Sequence, residues 1–149
     1  LVVSPAYLSK KVADSMIERE IKGRLVFLAS YAIKEPVPTI AMSNVCRIVI
    51  AGMVRTLARE LGPRGIRVNA VLPGYILTGR VDQIAEDTSK RKGISKQEAI
   101  SEMEKQIPLG RIGSTDELAR CIVFLGSSMS EYITGAMVPV DGGIMRSVF

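Results

Sequence analysis

Residues 39–62, TIAMSNVCRIVIAGMVRTLARELG, constrain the fold more than any other stretch. They predict one long helix, apolar on nearly every side from Val45 to Val54. A helix that is hydrophobic all round is either buried in a core or shared with a second chain. Its N-cap is expected at Thr39 or Ser43, and Gly62-Pro63 stops it. A short apolar run, RLVFLAS (24–30), precedes the helix, and IRVNAVLPGYILT (66–78) follows, starting as a second run that Pro73-Gly74 breaks. Such runs suit strands buried on both faces of a parallel sheet. Strand, helix, strand is a βαβ unit, with parallel strands and a right-handed crossover.

The remaining chain continues this alternation. Residues 5–22 place Tyr7, Leu8, Val12, Met16, Ile17 and Ile21 at helical spacing, with Pro5 in a first turn and Gly23 as the stop. Residues 31–38 hold two prolines and read as a loop. Residues 79–106 are charged and mixed in sign, with helical pieces around Val81–Ile84 and Lys96–Ile107 and Gly93 between them. An insert of this kind beyond the carboxyl end of a strand is either a mobile lid or a solvated helical hairpin. TDELARCIVFLG (115–126) predicts a helix capped by Ser114 or Thr115, with Asp116 and Glu117 where the helix dipole favours acids. Leu118, Cys121, Ile122 and Leu125 form its apolar face. AMVPVDGG (136–143) predicts a last strand ending at Asp141-Gly142-Gly143. The pattern is that of one α/β domain on an open parallel sheet. Ligands of such sheets bind beyond the carboxyl ends of the strands, here Ser30, the 73–78 segment and the 141–143 turn.

Composition narrows the chemistry. The chain has 149 residues, 47% apolar and 23% charged, enough for a real core. No run of about 18 apolar residues occurs, so no membrane span is expected. The N-terminus lacks the pattern of a signal peptide and does not begin with methionine, which suggests a fragment or a processed chain. There is no histidine, which excludes Ser-His-Asp hydrolysis and the usual zinc sites, and no metal is expected. Cys46 and Cys121 read as buried free thiols of a cytoplasmic protein. The net charge of +5 admits a nucleic-acid partner, but Lys and Arg are spread out and interleaved with acids. A solvated surface and no nucleic acid are the expectation.

Four stretches, in order and at the right separations, resemble the short-chain dehydrogenase/reductase family, and most of all its 3-oxoacyl-[acyl-carrier-protein] reductases. They are GRLVFLAS, MVRTLARELGPRGIRVNAVLPGYILT, PLGRIGSTDELARCIVFLGSSMSEYITG and MVPVDGG. The resemblance implies the C-terminal part of a Rossmann-type doubly wound parallel sheet, N-terminally incomplete over residues 1–149. The glycine-rich phosphate turn and the ribose-reading residue of such a sheet are not in this sequence. It further implies NAD or NADP as cofactor, a small-molecule carbonyl or alcohol substrate, and a substrate lid at 79–106. A homodimer or homotetramer through the 39–62 helix is implied as well.

Carried over residue by residue, the family's serine, which holds the substrate oxygen, is Ser30. Its tyrosine acid/base, thirteen residues on, is Ser43 here, and its lysine, four further, is Arg47. Its helix asparagine falls near Val2. Pro73, Gly74, the Ile76 backbone and Thr78 match the segment that holds the nicotinamide carboxamide, although a Pro-Gly turn ending a strand needs no ligand. The replacements matter physically. A phenol has an unperturbed pKa near ~10 that a neighbouring cation can lower, whereas an alkyl hydroxyl stays protonated. Arg47 can donate to ribose hydroxyls but cannot pass a proton. Two tyrosines could substitute. Tyr31 and Lys34 spell Tyr-x-x-Lys in a loop, one residue short of the family spacing; Tyr75, at the strand end, either reaches the substrate or packs against the lid. Asp141-Gly142-Gly143 reads as structural. Two functions follow from the resemblance: an oxidoreductase with an atypical active site, or a non-catalytic member serving as an oligomeric scaffold or ligand-binding protein.

Overall fold

The computed structural model describes residues 2–38 and 40–148. The elements run α1 (Val3–Glu18), β1 (Arg24–Leu28), α2 (Ala41–Leu61), β2 (Arg67–Pro73), α3 (Gly79–Lys92), α4 (Lys96–Glu104), α5 (Thr115–Gly126) and β3 (Met137–Val140). Short 3-10 turns at Tyr31–Ile33, Gly62–Arg64 and Ser128–Ser130 join them. The three strands are parallel in the order β1-β2-β3, with Leu28 opposite Val71 and Pro73 opposite Val140.

β2 is central, and Val68 to Leu72 are fully buried. Side chains alternate along a strand. Val68, Ala70 and Leu72 therefore share the face where α1 and α2 bring Ala13, Ile50, Val54, Ala58 and Leu61. Asn69 and Val71 point the other way, towards the side on which α5 packs against β1 and β2. Asn69 is fully buried and satisfied: its Nδ2 donates to Ile133 O at 2.9 Å, and its Oδ1 accepts from Ala136 N at 3.0 Å.

Several boundaries differ from the sequence reading. α1 starts at Val3 and ends at Glu18, four residues short of Lys22. The chain turns at Glu20, which takes the left-handed φ of 54°. Gly23 meets α1 instead of ending it: a Cβ there would lie 2.3 Å from Met16 Sδ. α2 has Ile40 at its N-cap with no side-chain cap, and Ser43 lies inside its first turn. Thr39 lies outside the described residues.

α2 is not buried all round. Its inner face is Ile50, Val54, Ala58 and Leu61, while Val45 is 60% and Ile48 52% exposed, with Met42 and Val49 also outward. The segment Ala41–Arg64 is long and apolar enough to cross a membrane by length and composition alone, yet its C-terminal half packs on the sheet. α3 is longer than its sequence pattern suggests, and Gly93, with φ 67°, caps it. α4 stops at Glu104, short of Ile107. α3 and α4 form a hairpin in which Lys96 bridges Asp82 at 2.8 Å and Glu86 at 3.3 Å over buried Ala85 and Ala99. α5 has the predicted extent, with Ser114 as cap in a reciprocal capping box with Glu117. Of its apolar face only Leu125 is buried; Leu118, Cys121 and Ile122 are half-buried because this side of the sheet is thinly covered. Cys46 and Cys121 are free thiols, half-buried.

Candidate functional site

The parallel register brings the three strand ends to one edge. Ser30 follows β1, residues 74–78 follow β2, and Asp141–Gly143 follow β3. The turn after β2 passes close to the one after β3. Gly74 N donates to Val140 O at 3.0 Å, and a Cβ on Gly74 would lie 2.8 Å from Asp141 Cα. Only glycine allows this approach.

Ser30 is extended and caps the 3-10 turn, its Oγ accepting from Ala32 N at 3.2 Å. Its hydroxyl proton points to no partner among the described residues. Ser43 and Arg47 are one helical turn apart at the start of α2. Arg47 Nε donates to Ser43 Oγ at 2.9 Å, and Nη1 donates to Ala29 O at 3.4 Å. The guanidinium is thus held against the last residue before Ser30, with Nη2 unused among the described residues. Arg47 thus reaches both Ser43 and the residue before Ser30. Val2 is the N-cap residue of α1 and offers no side-chain amide.

Tyr31 and Lys34 sit in the 3-10 turn rather than on α2. Burial, then Tyr75, Glu35 and Asp141 nearby, push the Tyr31 phenol well above its ordinary value. It stays protonated at any working pH and is a poorer acid than a free phenol. The Tyr31 and Tyr75 rings meet edge to face, with centroids 6.5 Å apart. Tyr75 also lines two cavities. One, of about 220 Å³, lies between the β2 and β3 ends; the other, of about 490 Å³, lies under the α3–α4 hairpin. Tyr75 also packs against the cluster of Val81, Met103, Ile107 and Ile112.

Thr78 Oγ1 donates to Ile76 O at 3.2 Å, and Ile76 bridges in parallel to Gly113, with Gly113 N donating to Tyr75 O at 3.0 Å. The 73–78 turn is thereby fixed on both sides. The donor set suits the nicotinamide end of a dinucleotide: a rigid turn with a threonine hydroxyl that can still accept, and a cation with a free N–H edge for ribose hydroxyls. Asp141 is structural, accepting from Gly143 N and Met145 N at 2.9 and 3.0 Å.

Two contributors escape the sequence reading. Asn44 Nδ2 donates to Val37 O at 2.8 Å and ties Val37 to α2 at the wall of the larger cavity. Arg111 grips Glu117 with two bonds of 2.9 and 2.6 Å at the wall of the smaller one. Asn44 had no signal beyond its place in a first turn; Arg111 and Glu117 lie six apart, across a loop, where spacing says nothing. Among the described residues no group of three or more acids and cysteines could hold a metal ion.

Comparison with known proteins places this geometry. Residues 2–145 match the family described as enoyl-(acyl carrier protein) reductase. The NADPH-dependent reductase BacG of Bacillus subtilis is 33% identical over 138 residues, 93% of this chain and 53% of that protein. The 3-oxoacyl-[acyl-carrier-protein] reductase FabG of Pseudomonas aeruginosa is 43% identical over 98 residues, 66% of this chain and 35% of that protein. A crystal structure of a putative 2-deoxy-d-gluconate 3-dehydrogenase from Agrobacterium tumefaciens with bound NADP superposes with TM-score 0.83 at 27% identity, over 96% of this chain and 55% of that one. The chain spans about half the length of the curated relatives it matches.

Proposed function

The chain belongs to the short-chain dehydrogenase/reductase family, and from that premise we propose that its protein interconverts a carbonyl and a hydroxyl with NAD or NADP, through an atypical active site related to that of 3-oxoacyl reductases. One observation carries the reading: at the carboxyl edge of a parallel sheet Arg47 donates to Ala29 O, just before Ser30, and Tyr75 meets the ring of Tyr31, just after it. A nicotinamide group, when bound, supplies or accepts the hydride. Pro73, Gly74, the Ile76 backbone and Thr78 would hold its carboxamide, and Arg47 its ribose hydroxyls.

The chain's own residues do the rest. Ser30 Oγ donates its proton to the substrate oxygen and orients the carbonyl. Ser43 Oγ already accepts from a permanent cation and is no source of a proton at neutral pH. Arg47 places positive charge beside developing oxyanion charge. Tyr75, the phenol beside Ser30's turn that faces both cavities, is the group that gives or takes the proton. The α3–α4 hairpin acts as the substrate lid.

Titration of the full-length protein with NADH and NADPH, followed by protein fluorescence, tests the reading. A saturable response to one of them supports it; none to either sinks it. In that second case the non-catalytic alternative stands, favoured by the Ser43–Arg47 bond that ties two former catalytic positions to each other. Either reading includes a cytoplasmic homodimer or homotetramer formed through α2, with neither nucleic acid nor membrane as partner. It rests on the outward apolar residues of that helix.

A further inference from the structure

The 490 Å³ cavity is bounded by Val37, Pro38, Ile40, Tyr75 and the α3–α4 hairpin. Its size is that of a small-molecule site. One stripe of α3 forms a long wall: Arg80, Ile84, Asp87, Thr88 and Arg91 recur at i, i+4, i+7, i+8 and i+11, which places them on one helical face. That stripe runs for ~16 Å at the rise of an α-helix. It begins next to Thr78 and Tyr75, where the reacting group sits, and leads away from them. Opposite its middle the walls are apolar, from Val37, Ile40 and Met103.

The charges are unequally matched. Lys92 is neutralised by Glu102 at 2.5 Å. Among the described residues the Arg80 side chain donates only to the neutral amide oxygen of Gln83, at 2.9 Å, and the side chains of Arg91 and Asp87 make no hydrogen bond or ion pair. Two guanidiniums therefore face the cavity against one unpaired carboxylate. Guanidinium groups pair with carboxylates and phosphates through parallel N–H bonds.

We propose that this cavity receives the distal part of the substrate, and that Arg91, with Arg80 nearer the reacting end, selects substrates bearing an anionic head, carboxylate or phosphate, on an aliphatic stem. This rests on the oxidoreductase reading for the word substrate, but the binding itself is measurable without cofactor.

Hexanoate, hexyl phosphate and hexan-1-ol are titrated calorimetrically into the full-length protein. The anions bind roughly 10-fold or more tightly than the alcohol, as expected for a charge-assisted pair, and the tighter of the two identifies the head group. Arg91→Gln abolishes that preference, Arg91→Lys keeps part of it, and Lys90→Gln, outside the cavity, leaves it intact. Unchanged melting temperatures show that these surface variants fold. Equal binding of the three compounds, binding of none, or a preference undiminished in Arg91→Gln overturns the proposal. Failure of the NADH and NADPH titration with the anion preference intact would instead remove the oxidoreductase reading and leave an anion-binding cavity.

Discussion

The distance between a working and a silent member of this family comes down to single hydroxyls. Ser43, at the position that the resemblance gives to the acid, accepts from Arg47 and is too weakly acidic to serve. Tyr31 is half-buried and pushed up, so its proton is held. Tyr75 remains. Tyr75→Phe in the full-length enzyme is expected to lower kcat by ~10²–10⁴-fold, the usual worth of a positioned acid, while Tyr31→Phe changes it by less than ~10-fold; equal losses would assign both rings to packing. Asn69 is the other residue whose chemistry is fixed by position. Both its amide atoms satisfy backbone groups of the segment before β3. Asn69→Ala leaves those groups unpaired and costs about 2–4 kcal/mol, seen as a lower urea midpoint at unchanged slope.

At the scale of elements, α5 shows how a cap and an ion pair combine. The Arg111 guanidinium, and then the Ser114 backbone N–H, hold the Glu117 carboxyl down at about 2. A depressed native value means stability that is fully present above the ordinary carboxylate range near ~4.3 and lost as pH falls through about 2. The melting-temperature gap between the parent and Glu117→Gln should therefore be constant near neutrality and close below pH ~4; a gap independent of pH would show that the pair contributes nothing. α2 shows a different division of labour. Its C-terminal half is a core helix, with Val54 fully buried, and its N-terminal half turns Val45, Ile48 and Val49 outward. α1 lies alongside, Ser9 touching Met53, while its exposed Leu8 and Val12 line a hollow against β1.

For the whole molecule, the proposed association rests on the outward apolar residues Val45, Ile48 and Val49 of α2. Sedimentation of the full-length protein at micromolar concentration should give a dimer or tetramer, and Ile48→Glu should shift it towards monomer by burying a charge in the contact. A parent that sediments as a monomer would refute the oligomer. β1 is the sheet's outer strand, with Leu28 64% exposed, and the chain accounts for 53% of the length of BacG. The three strands are the C-terminal part of a Rossmann-type sheet, as their solved relatives show.

The amino-acid sequence by itself determined the order and type of the elements. Helical spacing, apolar runs of strand length and breakers such as Pro73-Gly74 act locally, through backbone sterics and burial of one face. Its resemblance to the family set Ser30, Ser43 and Arg47 as candidates for one site, and the fold adds the Arg47 bonds to Ser43 and Ala29. Tertiary structure alone decided which sides of α2 meet protein, since an all-round apolar helix carries no record of what covers it. It decided too that Tyr75 stands between two cavities, that the half-buried Tyr31 ring meets it edge to face, and that Arg80 and Arg91 face one space. Those facts depend on contacts between segments far apart in the chain, whose geometry no local pattern encodes.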